Sequence, residues 1–195
     1  MDEMKAICTI CLLLFVFATK LLVAQPTNIG VYVSADDYKN NKPNEEVECK
    51  KTSKEVFKKH DVFAKSSFVV INKGVKKTYL KKEVYAYRDC DNRVWRFYNK
   101  HAYEILEAKN IYIYAVEKIV INGIAVERDP IYYFSNGADG EIKKLTTANL
   151  KAAYPNNQTL INILDTYVQT NEDLKGFDAT RNTYIANYLY SEAIK

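Results

Sequence analysis

The ten residues Lys118-Ile119-Val120-Ile121-Asn122-Gly123-Ile124-Ala125-Val126-Glu127 decide how this chain is read. Asn-Gly between two β-branched runs suits the positive backbone angles of a two-residue hairpin turn. Folding the stretch about Asn122-Gly123 sets Ile121 against Ile124 and Ile119 against Val126, while Lys118 meets Glu127 as an opposite-charge pair. The expectation is an antiparallel hairpin, and the sequence on either side extends it.

Upstream, short apolar and aromatic runs follow one another at Phe68 to Asn72, Lys77 to Leu80, Val84 to Arg88, Val94 to Tyr98, Tyr103 to Ala108 and Ile111 to Val116. Ile131 to Phe134 continues them downstream. Connections of only a few residues favour antiparallel pairing throughout. An earlier strand, Asn28 to Ser34, leads into a polar stretch, Ala35 to Glu46, that reads as a loop, and Val47 to His60 follows neither a strand nor a helix period.

After Asn136-Gly137-Ala138-Asp139-Gly140 the period becomes helical. Thr146 or Thr147 caps a short helix that ends near Tyr154, where Pro155 prevents continuation. Leu160, Ile161, Ile163, Leu164, Tyr167 and Val168 follow one helical face. Asp178, after Gly176, caps a last helix striped by Tyr184, Ile185, Tyr188 and Leu189. The expected class is α+β: an antiparallel sheet or partial barrel of about eight to ten strands, then two or three C-terminal helices packed on it. Strands occupy residues 25–135 and helices 141–195 of one globular domain, 25–195.

The start of the chain carries a different signal. Ala6 to Ala18 is apolar without a charge or a proline, follows Lys5, and is too short for a membrane span. It reads as a secretory signal peptide, residues 1–24, cut after Ala24 so that the mature chain begins at Gln25 and keeps no stable membrane span. The expected location is outside the cytoplasm. Cys8 and Cys11 would leave with the signal. Cys49 and Cys90 would remain in an oxidising compartment, which invites a disulfide between them.

Composition narrows the function. A hydrophobic fraction of 48% with only 6 Gly and 4 Pro excludes a disordered or linker-like chain. Lys50 to Lys100 holds 15 Lys and Arg against 5 Asp and Glu, although the whole chain is only +4. Such a stretch can track nucleic acid. Export argues against that partner, and paired lysines at strand edges also block sheet-to-sheet aggregation. Tyrosine, at 16 residues, is the excess; it combines a large ring with a polar tip and favours strands and binding surfaces.

No nucleophile elbow, phosphate loop or zinc helix occurs, and the two histidines, His60 and His101, sit in polar surroundings that read as solvated turns. No cofactor or metal is expected, and no catalytic residue is assigned. Asn136 to Glu141 resembles a calcium loop in composition, but with Gly140 at the sixth position Gly137 falls where a side-chain oxygen is required. Asn157-Gln158-Thr159 matches the glycosylation pattern and reads equally as a helix start. Asp36-Asp37 is the candidate carboxylate pair for an extracytoplasmic hydrolase, the alternative to a non-enzymatic binding or structural role.

The sharpest site expectation concerns Val84 to Tyr98. A turn centred on Cys90-Asp91 pairs Val84 with Phe97 and Ala86 with Trp95 on an apolar face. The other face then carries Tyr85, Tyr87, Arg96 and Tyr98, with Arg96 across from Tyr85 at cation-π distance. Such a row suits a glycan or a protein ligand, provided that the C-terminal helices leave it uncovered.

Gly30-Val-Tyr-Val-Ser-Ala-Asp-Asp-Tyr-Lys-Asn-Asn-Lys-Pro43 resembles a recurring start of secreted Bacteroidetes-type proteins of unknown function, and the aromatic runs at Tyr87-Arg88, Arg96 to Tyr98 and Tyr132 to Ser135 add to the likeness. The resemblance implies a bacterial envelope location and supplies no activity and no site residues.

Overall fold

The computed structural model describes residues 28–49, 65–122 and 125–195. The signal peptide and its cleavage point lie outside the described residues, as do Gly123, Ile124, His60 and most of Val47 to His60.

The fold is α+β. Its main sheet is antiparallel, open and eight-stranded, in the order β10-β9-β8-β7-β6-β5-β1-β2. The strands are β1 (Asn28–Tyr32), β2 (Glu45–Glu48), β5 (Ala86–Arg88), β6 (Val94–Tyr98), β7 (His101–Ala108), β8 (Tyr112–Asn122), β9 (Ala125–Ser135) and β10 (Lys143–Lys144). Strands β3 (Ser67–Asn72) and β4 (Val75–Leu80) form a separate hairpin, and β11 (Phe177–Asp178) pairs with β12 (Thr183–Tyr184). Helix α1 (Ala35–Lys39) follows β1, while α2 (Thr147–Ala153), α3 (Gln158–Tyr167) and α4 (Ile185–Ala193) complete the chain. Among the described residues, no helix is long and apolar enough to cross a membrane.

Alternation along the strands separates two faces. On one, Ile29, Val31, Tyr87, Trp95 and Phe97 are capped by Phe68 and Val70 of the β3–β4 hairpin. The same face, further along, buries Ile111, Ile113 and Phe134 under Leu150, Leu160, Leu164 and Leu189 of the C-terminal helices. The opposite face is a tyrosine layer. Tyr112 and Tyr114, with Tyr38, Tyr85, Tyr98, Tyr103 and Tyr133 around them, pack against Ala35 of α1 and against Ala138 and Ile142.

Several sequence expectations change here. Ala35 to Glu46 is more than a loop, because Ser34 caps α1: its hydroxyl accepts the Asp37 N–H while the Asp37 carboxylate accepts the Ser34 N–H, a reciprocal box. Four runs read separately merge into the two long strands β8 and β9. Pro130 is accommodated in β9 beyond the stretch that pairs with β10.

The β8–β9 register is also displaced from a turn on Asn122-Gly123. Ile121 pairs with Val126, Ile119 with Arg128 and Lys118 with Asp129. This register runs unbroken from the other end of the ladder, where Ile113 meets Phe134, both buried, and buried Tyr114 meets half-buried Tyr133. Moving those pairs would pull core side chains out of place, so the buried end sets the register and the turn follows it.

At the C-terminus, Thr146 caps α2 as expected, and Asn157 caps α3 through a side-chain oxygen that accepts the Leu160 N–H. Asp178 does not cap α4. Its carboxylate accepts the Arg181 N–H inside the β11–β12 hairpin, and α4 begins at Ile185 without a side-chain cap.

Candidate functional site

The turn after β5 decides where the tyrosines point. Asp89 Oδ1 accepts the N–H groups of both Asp91 and Arg93, and Asn92 takes a left-handed backbone with φ 61°. These contacts organise a loop of odd length, so Ala86 pairs with Arg96, Tyr87 with Trp95 and Arg88 with Val94. That is one step from the expected register. Tyr87 therefore faces the Phe68 cluster and is only 2% exposed. Strict alternation also breaks between Tyr85 and Ala86, since Val84 and Tyr87, three apart, share one cluster. Phe97 N–H donates to the Tyr85 carbonyl just ahead of β5, and Tyr85 remains with the tyrosine layer.

Tyr85, Tyr87, Arg96 and Tyr98 are thus divided between two faces. Arg96 is 4% exposed and lies under rings: its guanidinium carbon is 5.3 Å from the Tyr85 centroid, 5.5 Å from Tyr98 and 5.8 Å from Tyr114. The Arg96–Tyr85 contact is present although the Cα partner of Arg96 is Ala86. Arg96 Nη1 donates to the Tyr114 hydroxyl at 2.8 Å and to Ser135 Oγ at 3.2 Å, and Nη2 donates to the Gly140 carbonyl at 2.8 Å. The Tyr85 hydroxyl donates to the Ala138 carbonyl, and Ser135 Oγ to the Gly137 carbonyl. What covers this part of the face is consequently the 136–142 segment with α1, rather than the C-terminal helices. Arg96 and Tyr85 act as a clamp on that segment.

The other sequence candidates are committed elsewhere. Asp37 serves the α1 cap, and Asp36 pairs with Lys39 at 2.9 Å, so the two carboxylates do not converge on a shared site. Cys49 and Cys90 form a disulfide with Cα atoms 5.7 Å apart, joining the end of β2 to the β5–β6 turn. Among the described residues no cluster of His, Cys, Asp and Glu could hold a metal ion.

A lined space lies one strand further on. A cleft of about 540 Å³ is lined by Trp95, His101, Ala102, Tyr103, Val116, Glu117 and Tyr133. Its origin is a parting of strands: β7 and β8 pair from Ala108 with Tyr112 as far as Glu104 with Ala115, and the pairing stops there. Strand β7 runs on to His101 and β8 to Asn122, leaving His101 to Tyr103 on one lip and Val116 and Glu117 on the other. Trp95 comes from the face of the β3–β4 hairpin and Tyr133 from the tyrosine layer. Tyr103 and Tyr133 meet edge to face with centroids 5.1 Å apart, and His101 lies 6.4 Å from Tyr103.

Acidic groups stand beside the cleft. Glu104 is the cross-strand partner of Trp95 and is half-buried. Burial pushes its pKa up; the Arg93 guanidinium pulls against this, while Asp89 and Glu117 add to the rise. The space falls in the range of small-ligand sites, roughly 300–1,000 Å³, and has their usual make-up of ring walls with a few polar groups. Sequence reasoning missed it because His101 and Tyr103 looked like ordinary strand and turn residues. Nothing in the spacing of Trp95, Tyr103 and Tyr133 brings them together in the sequence.

No protein-family model, curated protein or solved structure matches this chain.

Proposed function

We propose that this chain is an exported bacterial envelope protein that binds a saccharide in the cleft between β7 and β8 without transforming it. The observation that carries the reading is the wall of Trp95, Tyr103 and Tyr133 rings around a space of about 540 Å³. Sugar rings present apolar C–H faces that stack on such side chains, while their hydroxyls take up polar rims of the kind His101 and Glu117 provide. The export expectation and the resemblance of the Gly30 to Pro43 segment to secreted Bacteroidetes-type proteins supply the location.

The experiment is a titration of tryptophan fluorescence with a panel of oligosaccharides, Trp95 being the only tryptophan in the chain. Binding should weaken by about tenfold in Tyr103→Ala, in line with stacking contributions of roughly 1 kcal/mol or more. A panel that never changes the fluorescence, with the protein folded, would remove the proposal.

A second reading, hydrolysis by carboxylates, draws on Glu104, whose carboxyl is held above its ordinary range chiefly by burial beside the same cleft. Turnover of a glycoside that disappears in Glu104→Gln would favour it.

A further inference from the structure

Glu104 stands where β7 and β8 part, its pairing with Ala115 being the last in their register. Its other cross-strand partner is Trp95, and residues directly opposite in an antiparallel pair share a face, so the Glu104 carboxyl lies on the Trp95 side of the cleft. Ala102 and Glu117, which line the cleft, are each two residues along a strand from that pair and fall on the same side. Glu104 and Glu117 thus come within each other's field beside the ring walls, and each opposes the other's charge.

The cation that Glu104 senses is already shared. The Arg93 guanidinium reaches Asp89 at 3.2 Å and Asp91 at 3.4 Å, and it lies over the Trp95 ring at 5.5 Å. Among the described residues, the half-buried Glu104 carboxylate makes no hydrogen bond and no ion pair. A carboxylate partly withdrawn from water without such bonds favours a positive partner.

We infer that the ligand of this cleft is an amino sugar, whose protonated amine is held by Glu104 and Glu117 while its ring stacks on Tyr103 and Tyr133. The inference rests on the saccharide reading above and names the class of sugar. An ammonium carries a full charge and three N–H donors, so one group can meet both carboxylates and relieve their repulsion. Glu117 has an interaction of its own, which leaves acceptor positions over, since a carboxylate offers about four. A neutral sugar has the stacking face but leaves the charge unmet, and an acidic sugar is repelled. A small ammonium ion has no ring for the tyrosines.

The test compares four probes by calorimetry on the purified protein near neutral pH: the trimer of glucosamine, its fully N-acetylated form, cellotriose and ethanolamine. The glucosamine trimer should bind about tenfold or more tighter than either of the other two trisaccharides, and added salt should narrow that gap. Glu104→Gln should bring the glucosamine trimer down to the cellotriose level. If that variant does not fold, the N-acetylated form decides the matter on the unaltered protein, because acetylation removes the charge and keeps the sugar ring. A gap that is absent or reversed, or one that survives Glu104→Gln, would overturn the amino-sugar assignment and leave saccharide binding standing. Ethanolamine binding as tightly as the glucosamine trimer would make the cleft a site for small cations and end both sugar readings. Silence from every probe would also end both.

Discussion

Asn187 Nδ2 on α4 donates to Glu107 Oε2 on β7 at 2.7 Å and to the Ile111 carbonyl at 2.8 Å, while its Oδ1 accepts the Ile111 N–H at 3.0 Å. One buried side chain thus ties the last helix to the sheet at two points. Glu107 also accepts from Thr183 Oγ1 at 2.8 Å and from the Tyr184 N–H at 3.1 Å, and it pairs with Lys109 at 2.6 Å. Burial raises the Glu107 pKa, but the bonds from Lys109, Thr183, Asn187 and Tyr184 outweigh it and hold the carboxyl below its ordinary value. A depressed folded pKa means that the contribution to stability is present above the unfolded glutamate value and is lost as pH falls through the folded one. Denaturant melts should therefore show stability falling as pH drops below about 4.5, with a smaller acid slope in Glu107→Gln. At neutral pH that variant should lose about 1–3 kcal/mol, because an amide cannot accept at both oxygen positions.

Tyr87 and Tyr98 should behave as unlike residues. Tyr87 is 2% exposed and packs its ring against Phe68, with centroids 6.0 Å apart. Truncating it to Ala should cost about 3–5 kcal/mol, as for other large buried rings. Tyr98 is half-buried at the margin of the tyrosine layer, and Tyr98→Ala should cost clearly less. Thermal melts of the two single variants check this, and equal losses would contradict the face assignment.

Reducing Cys49–Cys90 should lower stability by about 3 to 4 kcal/mol in the chain-entropy account, given a sequence separation of 41 residues. Thiol counting on the unfolded, unreduced chain should find neither of these two cysteines reactive. The bridge joins β2, at the sheet edge, to the turn that sets the β5–β6 register. Hydrogen exchange in β1 and β2 should rise on reduction before it rises in β8 and β9.

Gly140 should resist substitution by any other residue. A Cβ there would sit 2.4 Å from the Asn136 carbonyl oxygen and 2.9 Å from the Asn136 nitrogen, both backbone atoms that cannot swing away. Gly140→Ala should therefore cost about 1–3 kcal/mol and loosen the Arg96 contact to the Gly140 carbonyl. At Gly137, with φ +72° and open space around it, Ala should cost only about 1 kcal/mol from backbone strain. The ratio of the two losses, read from chemical denaturation, checks the packing of this segment on the tyrosine layer.

The α+β class, the antiparallel pairing and the C-terminal helices were legible in the chain because they rest on periodicity, turn residues and caps within a few positions of one another. Phe68 to Asn72, Val94 to Tyr98 and the Thr146 cap are local facts of this kind. Register was another matter. Asn122-Gly123 advertises a turn, yet the buried pair Ile113–Phe134, with buried Tyr114 across from Tyr133, sets the pairing of the whole β8–β9 ladder. Likewise the Asp89 side chain makes the β5–β6 loop odd in length and sets Tyr87 across from Trp95, while a break in alternation between Tyr85 and Ala86 leaves Tyr85 on the other face. A one-residue slip costs nothing in composition or periodicity, but it exchanges the two faces of a strand, so only the packed core can choose between the alternatives. The cleft belongs wholly to that level. It exists because β7 and β8 part after Glu104 and Ala115, and no spacing within either strand announces where two strands stop pairing.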